Sequence, residues 1–275
     1  LVLLLSPDNG KMSVLIFPLI YSAPFISGFY NFSLALILLL VILYFWIKNN
    51  ESRTIAFYIK LSTLLFLTYL AHSFTFGVLC LSLAVIIITK KGIKNYKEWL
   101  VDGIKVAIAA LVPIVLGVSF VLSRESEYSY LTNEELWYQI TNFKFIYSFQ
   151  REPSFWVLIY VLFSLFGSVF FKAKNNLALI YIAFILFGLY FVLPDGVGYA
   201  SVFSVRTLLL SFLFFILWLA LQKRNKIIQY LIIGLLFFYQ NYRMKELADW
   251  SVNKNNKAKE LIALGDLIPE NSIIK

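Results

Sequence analysis

Long apolar runs constrain this chain more than any other feature of it. Runs of about 17–20 residues recur along the sequence, long enough as helices to cross a hydrocarbon core of about 30 Å. Hydrophobic residues make up 60% of the 275 positions, which leaves too little polar surface to cover a soluble core of that size. The chain therefore reads as an all-α polytopic integral membrane protein.

The net charge of +9 would suggest nucleic acid in a soluble protein. Here the lysines and arginines sit in short loops between apolar runs, where they set topology, so the partner expected is membrane lipid and not nucleic acid. The single cysteine, Cys80, lies inside an apolar run and forms no disulfide within the chain.

Taken in order, Leu1–Ser6 reads as the tail of a span. Met12–Ile26 is apolar but carries Pro18 and Pro24, so it is either a short kinked span or a re-entrant segment. Asn31–Ile47 is a cleaner run that ends on Trp46 and Lys48. Ile55–Leu70 and Ser73–Thr89, separated by Ala71-His72, read as a tight helical hairpin. A basic loop follows whose WLVDGIK portion is expected along the membrane surface. The remaining expected spans are Ile104–Leu122, Ser154–Phe171, Leu177–Leu193, Ser204–Leu221 and Ile227–Tyr242.

Counting lysine and arginine in the loops gives one consistent orientation. The basic loops at 48–53, 90–105, 172–174 and 222–226 share one side. The 27–30 turn, the His72 turn, the large loop 123–153, the 193–200 loop and the tail share the other. The expectation is about nine transmembrane helices over residues 1–242, facing an extracytoplasmic C-terminal segment at 243–275. In that segment Ser251 is expected to cap a helix running to about Leu264. The chain starts inside one apolar stretch and stops as another begins, so it is read as part of a longer protein, with the C-terminal segment truncated.

Several polar residues need a reason on this topology. LPDGVGYASVFSVR, residues 193–206, is the most polar break in the C-terminal half, with Asp195, Tyr199 and Arg206. A charge at the membrane rim is costly and usually faces a protein-lined cavity. Arg206 either snorkels or pairs with Asp195, or it offers bidentate donors to the phosphate of a lipid-linked substrate. His72, the only histidine, either caps its hairpin or sits at the interface, or it donates to a pyrophosphate or sugar or transfers a proton. Glu125 and Glu127 form an acidic pair that is either a solvated loop face or a site for a divalent metal ion or a catalytic base. Asn31 opens its span from the same side.

GFYNFSLALILLLVILYFW, LAHSFTFGVLCLSLAVII and LPDGVGYASVFSVRTLLLSFLFF, taken in succession, resemble the C-terminal half of bacterial GT-C-type membrane glycosyltransferases. The resemblance spans most of residues 12–275. It implies transfer of a sugar from a polyprenyl-phosphate carrier to an extracytoplasmic acceptor, in the bacterial cytoplasmic (inner) membrane. It implies that Arg206 and His72 hold the carrier phosphate, with the 193–200 and 123–153 loops lining the cavity; Tyr199 and Asn31 are further candidates for substrate binding. The family places a catalytic acid in its first outer loop, and the corresponding turn here, Ser27–Tyr30, has no carboxylate. Asp195 and Glu125 are weak substitutes, and the catalytic part is expected upstream of Leu1. The alternatives are a non-catalytic subunit of an envelope complex, binding protein partners through its outer loops and tail, and a lipid-linked oligosaccharide transporter or polymerase.

Overall fold

The computed structural model describes residues 1–20, 22–49, 53–123, 127–146, 176–198, 201–222 and 225–265. Among these the chain is mostly helical. It opens with α1 (Val2–Leu5), a 3-10 helix (Pro7–Ile16), α2 (Phe17–Ile20) and α3 (Ala23–Ile26). Then come α4 (Tyr30–Lys48), α5 (Ile55–Ala71), α6 (Ser73–Lys91), α7 (Tyr96–Ala109), α8 (Leu111–Leu122) and α9 (Asn133–Thr141). The chain closes with α10 (Leu177–Val192), α11 (Phe203–Ala220) and α12 (Lys226–Gly265). Two short strands, β1 (Tyr128–Ser129) and β2 (Gly196–Val197), pair antiparallel with Tyr128 opposite Val197.

Helices α4, α6 and α11 are long and apolar enough to cross a membrane, and α7–α8 adds a fourth if the bent pair is one span. Among the described residues nine crossings are therefore not supported. Helix α7 turns by 68° into α8, which splits the expected Ile104–Leu122 span. Pro113 has no N–H to offer the Ala109 carbonyl, so the ladder fails there. The expected span Ser154–Phe171 lies outside the described residues.

Met12–Ile26 is not one helix either. Pro18 and Pro24 each open a four-residue helix after the 3-10 turn. The broken segment nevertheless runs the length of α11. Asn9 Nδ2 donates to the Leu221 and Gln222 carbonyls at 3.1 and 3.0 Å, satisfying the far end of that helix. At the near end, the Phe29 ring lies 4.6 Å from the Arg206 guanidinium.

The composition changes at 242/243 but the helix does not: α12 continues for 40 residues, about 60 Å. Ser251 lies inside it and caps nothing. Gln229, Ile232, Leu236, Tyr239 and Arg243 are buried at alternating three- and four-residue steps, one helical stripe against the body. Residues 251–260 are exposed throughout. Arg243 ends the stripe, 1% exposed, with its Nη1 donating to Pro18 O at 2.7 Å. It thereby serves a carbonyl beside a break in the helical ladder. Replacing Arg243 with methionine is expected to lower stability by about 1–3 kcal/mol, read as a fall in melting temperature of the detergent-solubilised protein.

Helix α11 is the centre of the bundle. Its most apolar window is 72% buried, against 33% for α4 and 39% for α6. It packs most extensively on α10, where Ser211 Oγ donates to Ala183 O at 2.8 Å. By contrast α8 exposes Leu111, Val112, Val115, Val118, Phe120 and Leu122, an apolar surface suited to lipid.

Candidate functional site

Three turns meet at one end of the bundle: the start of α4, the α5–α6 turn and the loop into α11. The last of these is held by backbone pairing. Asp195 N donates to Ser129 O at 2.8 Å and Gly198 N to Glu127 O at 2.9 Å, extending the β1–β2 pair. Asp195 then folds over the start of α11. Its Oδ1 accepts from Ser204 N at 3.1 Å and from the Ser204 hydroxyl, and its carbonyl accepts from Phe203 N. A carboxylate there satisfies free N–H groups and complements the helix dipole. Val202, just before the helix, has φ 66°, a left-handed conformation that a β-branched residue holds only under strain from its surroundings.

One turn into α11, Arg206 is 7% exposed. Its guanidinium lies 4.6 Å from the Phe29 ring, 5.7 Å from Phe32 and 5.9 Å from Phe203. Its Nε is buried without a hydrogen-bond partner. No ion pair joins Arg206 to Asp195 among the described residues. The pairing of Arg206 with Asp195 envisaged from sequence is thus replaced by a capping role for the acid and an aromatic cage for the base.

The opposite end of the bundle shows what a structural arginine looks like in this protein. Arg53 stacks on Trp46 at 3.6 Å and also reaches Asp102 at 3.6 Å. Nearby Lys91 pairs with Glu98 at 3.0 Å. There the bases have acids; Arg206 has rings.

His72 is the whole turn between α5 and α6. It ends one helix, with its N–H donating to Thr68 O at 2.8 Å, and caps the next, with Nδ1 accepting from Thr75 N at 3.3 Å. Its ring stands edge-on to Phe32 at 5.1 Å and near Phe74, which packs on Phe203. An Nδ1 that accepts from an amide leaves the proton on Nε2. Burial, followed by the charge of Arg206, pushes the His72 pKa down to about 4. A histidine depressed in the folded state favours unfolding as pH falls from about 6.5 to about 4. His72→Asn keeps a capping side chain and removes the titration. Melting temperatures measured across that window should fall for the wild type and stay flatter for His72→Asn.

The remaining sequence candidates do not join this cage. Asn31 is exposed, with its Oδ1 accepting from Phe32 N at 2.9 Å; Phe32, one residue on, is the one that faces the guanidinium. Tyr199 and Glu125 lie outside the described residues. Glu127 is exposed, and no group of three metal-ligating side chains converges among the described residues. The divalent-ion reading has no cluster there to rest on. The residues that sequence reasoning missed are Phe29, Phe32, Phe74 and Phe203. Their one available signal was spacing, since Phe29 and Phe32 lie three apart at a helix start and Phe203 lies three before Arg206.

Comparison of the chain with protein-family models, curated proteins and solved structures finds no match. What the site can do is therefore argued from its chemistry. A guanidinium held by ring faces is stabilised as a cation. It keeps N–H donors in its own plane for an anion, and phosphate and carboxylate oxygens match that fork. Beside it stands a neutral imidazole whose Nε2–H adds a donor.

Proposed function

We infer that this chain is a GT-C-like membrane glycosyltransferase that holds the phosphate of a polyprenyl-phosphate-linked sugar at Arg206. The observation that carries the reading is a buried arginine with aromatic neighbours and, among the described residues, no acid paired to it, at the end of the bundle that the basic-loop count puts outside. His72 Nε2–H is the second donor to the phosphate. In an inverting transfer a carboxylate deprotonates the acceptor hydroxyl, the new glycosidic bond forms as the sugar–phosphate bond breaks, and negative charge collects on the departing phosphate. Arg206 offsets that charge. The deprotonating carboxylate comes from outside the described residues, because Asp195 is committed to the helix start. On this reading the protein sits in the bacterial cytoplasmic membrane with its C-terminal end outside.

The same commitment of Asp195 supports a second reading, a non-catalytic subunit of an envelope complex that holds a lipid phosphate without turning it over. One experiment separates the two. The full chain in nanodiscs, given a polyprenyl-phosphate-linked sugar and an acceptor, should release free polyprenyl phosphate. Binding of the carrier without release would leave the subunit reading and remove the enzyme.

A further inference from the structure

Helix α7 has two faces of opposite character. It packs against α5 and α6, with Trp99, Asp102, Val106 and Ala109 turned inward, half-buried or buried at steps of three and four. The opposite stripe is Lys97, Val101, Ile104 and Ile108, widened by Leu100, and its aliphatic members are 48–66% exposed. Both acids of the helix are held from the body. Lys91 Nζ donates to Glu98 at 3.0 Å, and Arg53, stacked on Trp46, reaches Asp102 at 3.6 Å. These pairs fix the roll of the helix, so the aliphatic stripe stays turned away from the bundle. They also leave bases in excess on the outer side. Lys94, Lys97 and Lys105 are exposed, and no acid pairs with them among the described residues.

We propose that α7 is an in-plane anchor that docks on anionic phospholipid headgroups through Lys94, Lys97 and Lys105, in the leaflet that the basic loops face. Leu100, Val101, Ile104 and Ile108 enter the acyl region beneath. Depth, continuity and charge each point to that partner. Helix α8 has 12 residues, about 18 Å, too short for a hydrocarbon core of about 30 Å. The 14 residues of α7 are about 21 Å long, and the 68° bend turns about 8 Å of that length along the α8 axis. With α8 upright, α7 lies about 22° from the membrane plane and fills about the last 8 Å of depth, where amphipathic helices rest. The tilt puts Lys94 and Lys97 at the shallow end and Ile104 and Ile108 at the deep end, and Lys105 snorkels from between. The stripe of Ile104 and Ile108 continues at the same spacing through Leu111 and Val115 of α8, also exposed. A lipid phase covers both helices, whereas a soluble partner reaches only α7. Lysines near an anionic surface then select the headgroup charge.

The test uses the whole chain in nanodiscs of phosphatidylcholine with and without phosphatidylglycerol. In a Cys80→Ala background, nitroxides attached at Ile104→Cys and at Lys94→Cys report depth through their relaxation by oxygen and by a water-soluble nickel chelate. The label at 104 should favour oxygen and the label at 94 nickel. Equal access of nickel to both would put the stripe in water, as a face for a soluble protein, and overturn the proposal. Headgroup selection is read as the preference for phosphatidylglycerol over phosphatidylcholine, by displacement of a spin-labelled phosphatidylglycerol. Replacing Lys94, Lys97 and Lys105 together with glutamine should lower that preference by about fivefold or more and leave the melting temperature where it was. Replacing Lys254, Lys257 and Lys259 together with glutamine, on the exposed end of α12, should leave the preference unchanged. An equal fall in both triple variants would mean that net charge alone draws the lipid, and the α7 assignment would fail. A preference untouched by the first triple variant would overturn it as well.

Discussion

Arg206→Met is expected to reduce lipid-phosphate binding by roughly 100-fold while leaving the protein as stable as before or more so. The two halves of that expectation come from different physics. A guanidinium near the membrane rim loses solvation, at a cost below the roughly 2.5–3.5 kcal/mol assigned to a helix centre. Cation–π contacts with Phe29, Phe32 and Phe203 return about 0.5–2 kcal/mol. With no carboxylate paired to it among the described residues, removing the charge strands no partner there, and a methionine of similar volume fills the cage. A phosphate that relied on bidentate donation loses a charge-assisted contact outright. Arg206→Lys should fall between, with the charge kept and the fork lost. Binding measured with polyprenyl phosphate, and melting temperature on the same samples, decide the matter. A variant that unfolds early yet binds normally would make Arg206 structural, as Arg53 is.

Apolar periodicity made the membrane class and the long helices legible, because a run such as Asn31–Ile47 can satisfy its backbone in lipid only as a helix. The ends of Ile55–Ala71 and Ser73–Lys91 could be read as well, since His72 is a polar interruption one residue wide. What failed was continuity. Ile104–Leu122 was read as one span although it carries Pro113, and it bends where α7 meets α8; for Met12–Ile26 the prolines Pro18 and Pro24 announced the interruption that the structure has there. The opposite error occurred at 242/243, where polarity rises and the helix runs on. Tyr239, Arg243 and Glu246 keep the three- and four-residue spacing of the apolar stripe, so the period persisted where hydrophobicity did not.

The candidate site was half legible for a related reason. Arg206 and His72 stood out because charge and imidazole are rare in such runs, and placing them together required only the alternation of loops across the membrane. The cage around them was hidden among the 27 phenylalanines of the chain, most of which face lipid or core in any membrane bundle. Nothing local distinguishes Phe32, fully buried between Arg206 and His72, from its neighbours. Asp195 was misjudged for a subtler reason. Eleven residues from Arg206 with two glycines between, it suggested an ion pair, whereas the β1–β2 pairing turns it onto Ser204.

That placement makes the paired substitutions of Asp195 diagnostic. Asp195→Ala removes the acceptor for Ser204 N and its hydroxyl together with a negative charge at the helix start, and should cost about 1–2 kcal/mol of stability. Because Arg206 is one turn further on, fraying there loosens the cage, and phosphate binding should weaken even though Asp195 never touches the ligand. Asp195→Asn retains an oxygen acceptor at the same position but cannot take up a proton. If the acid only caps α11, the asparagine variant keeps most of the stability and most of the binding, and any sugar transfer survives with it. If Asp195 is the base that deprotonates the acceptor, Asp195→Asn folds and binds the carrier normally yet transfers nothing, since a neutral amide has no basicity to offer. Melting temperature, phosphate binding and carrier release measured on both variants therefore separate a cap from a base.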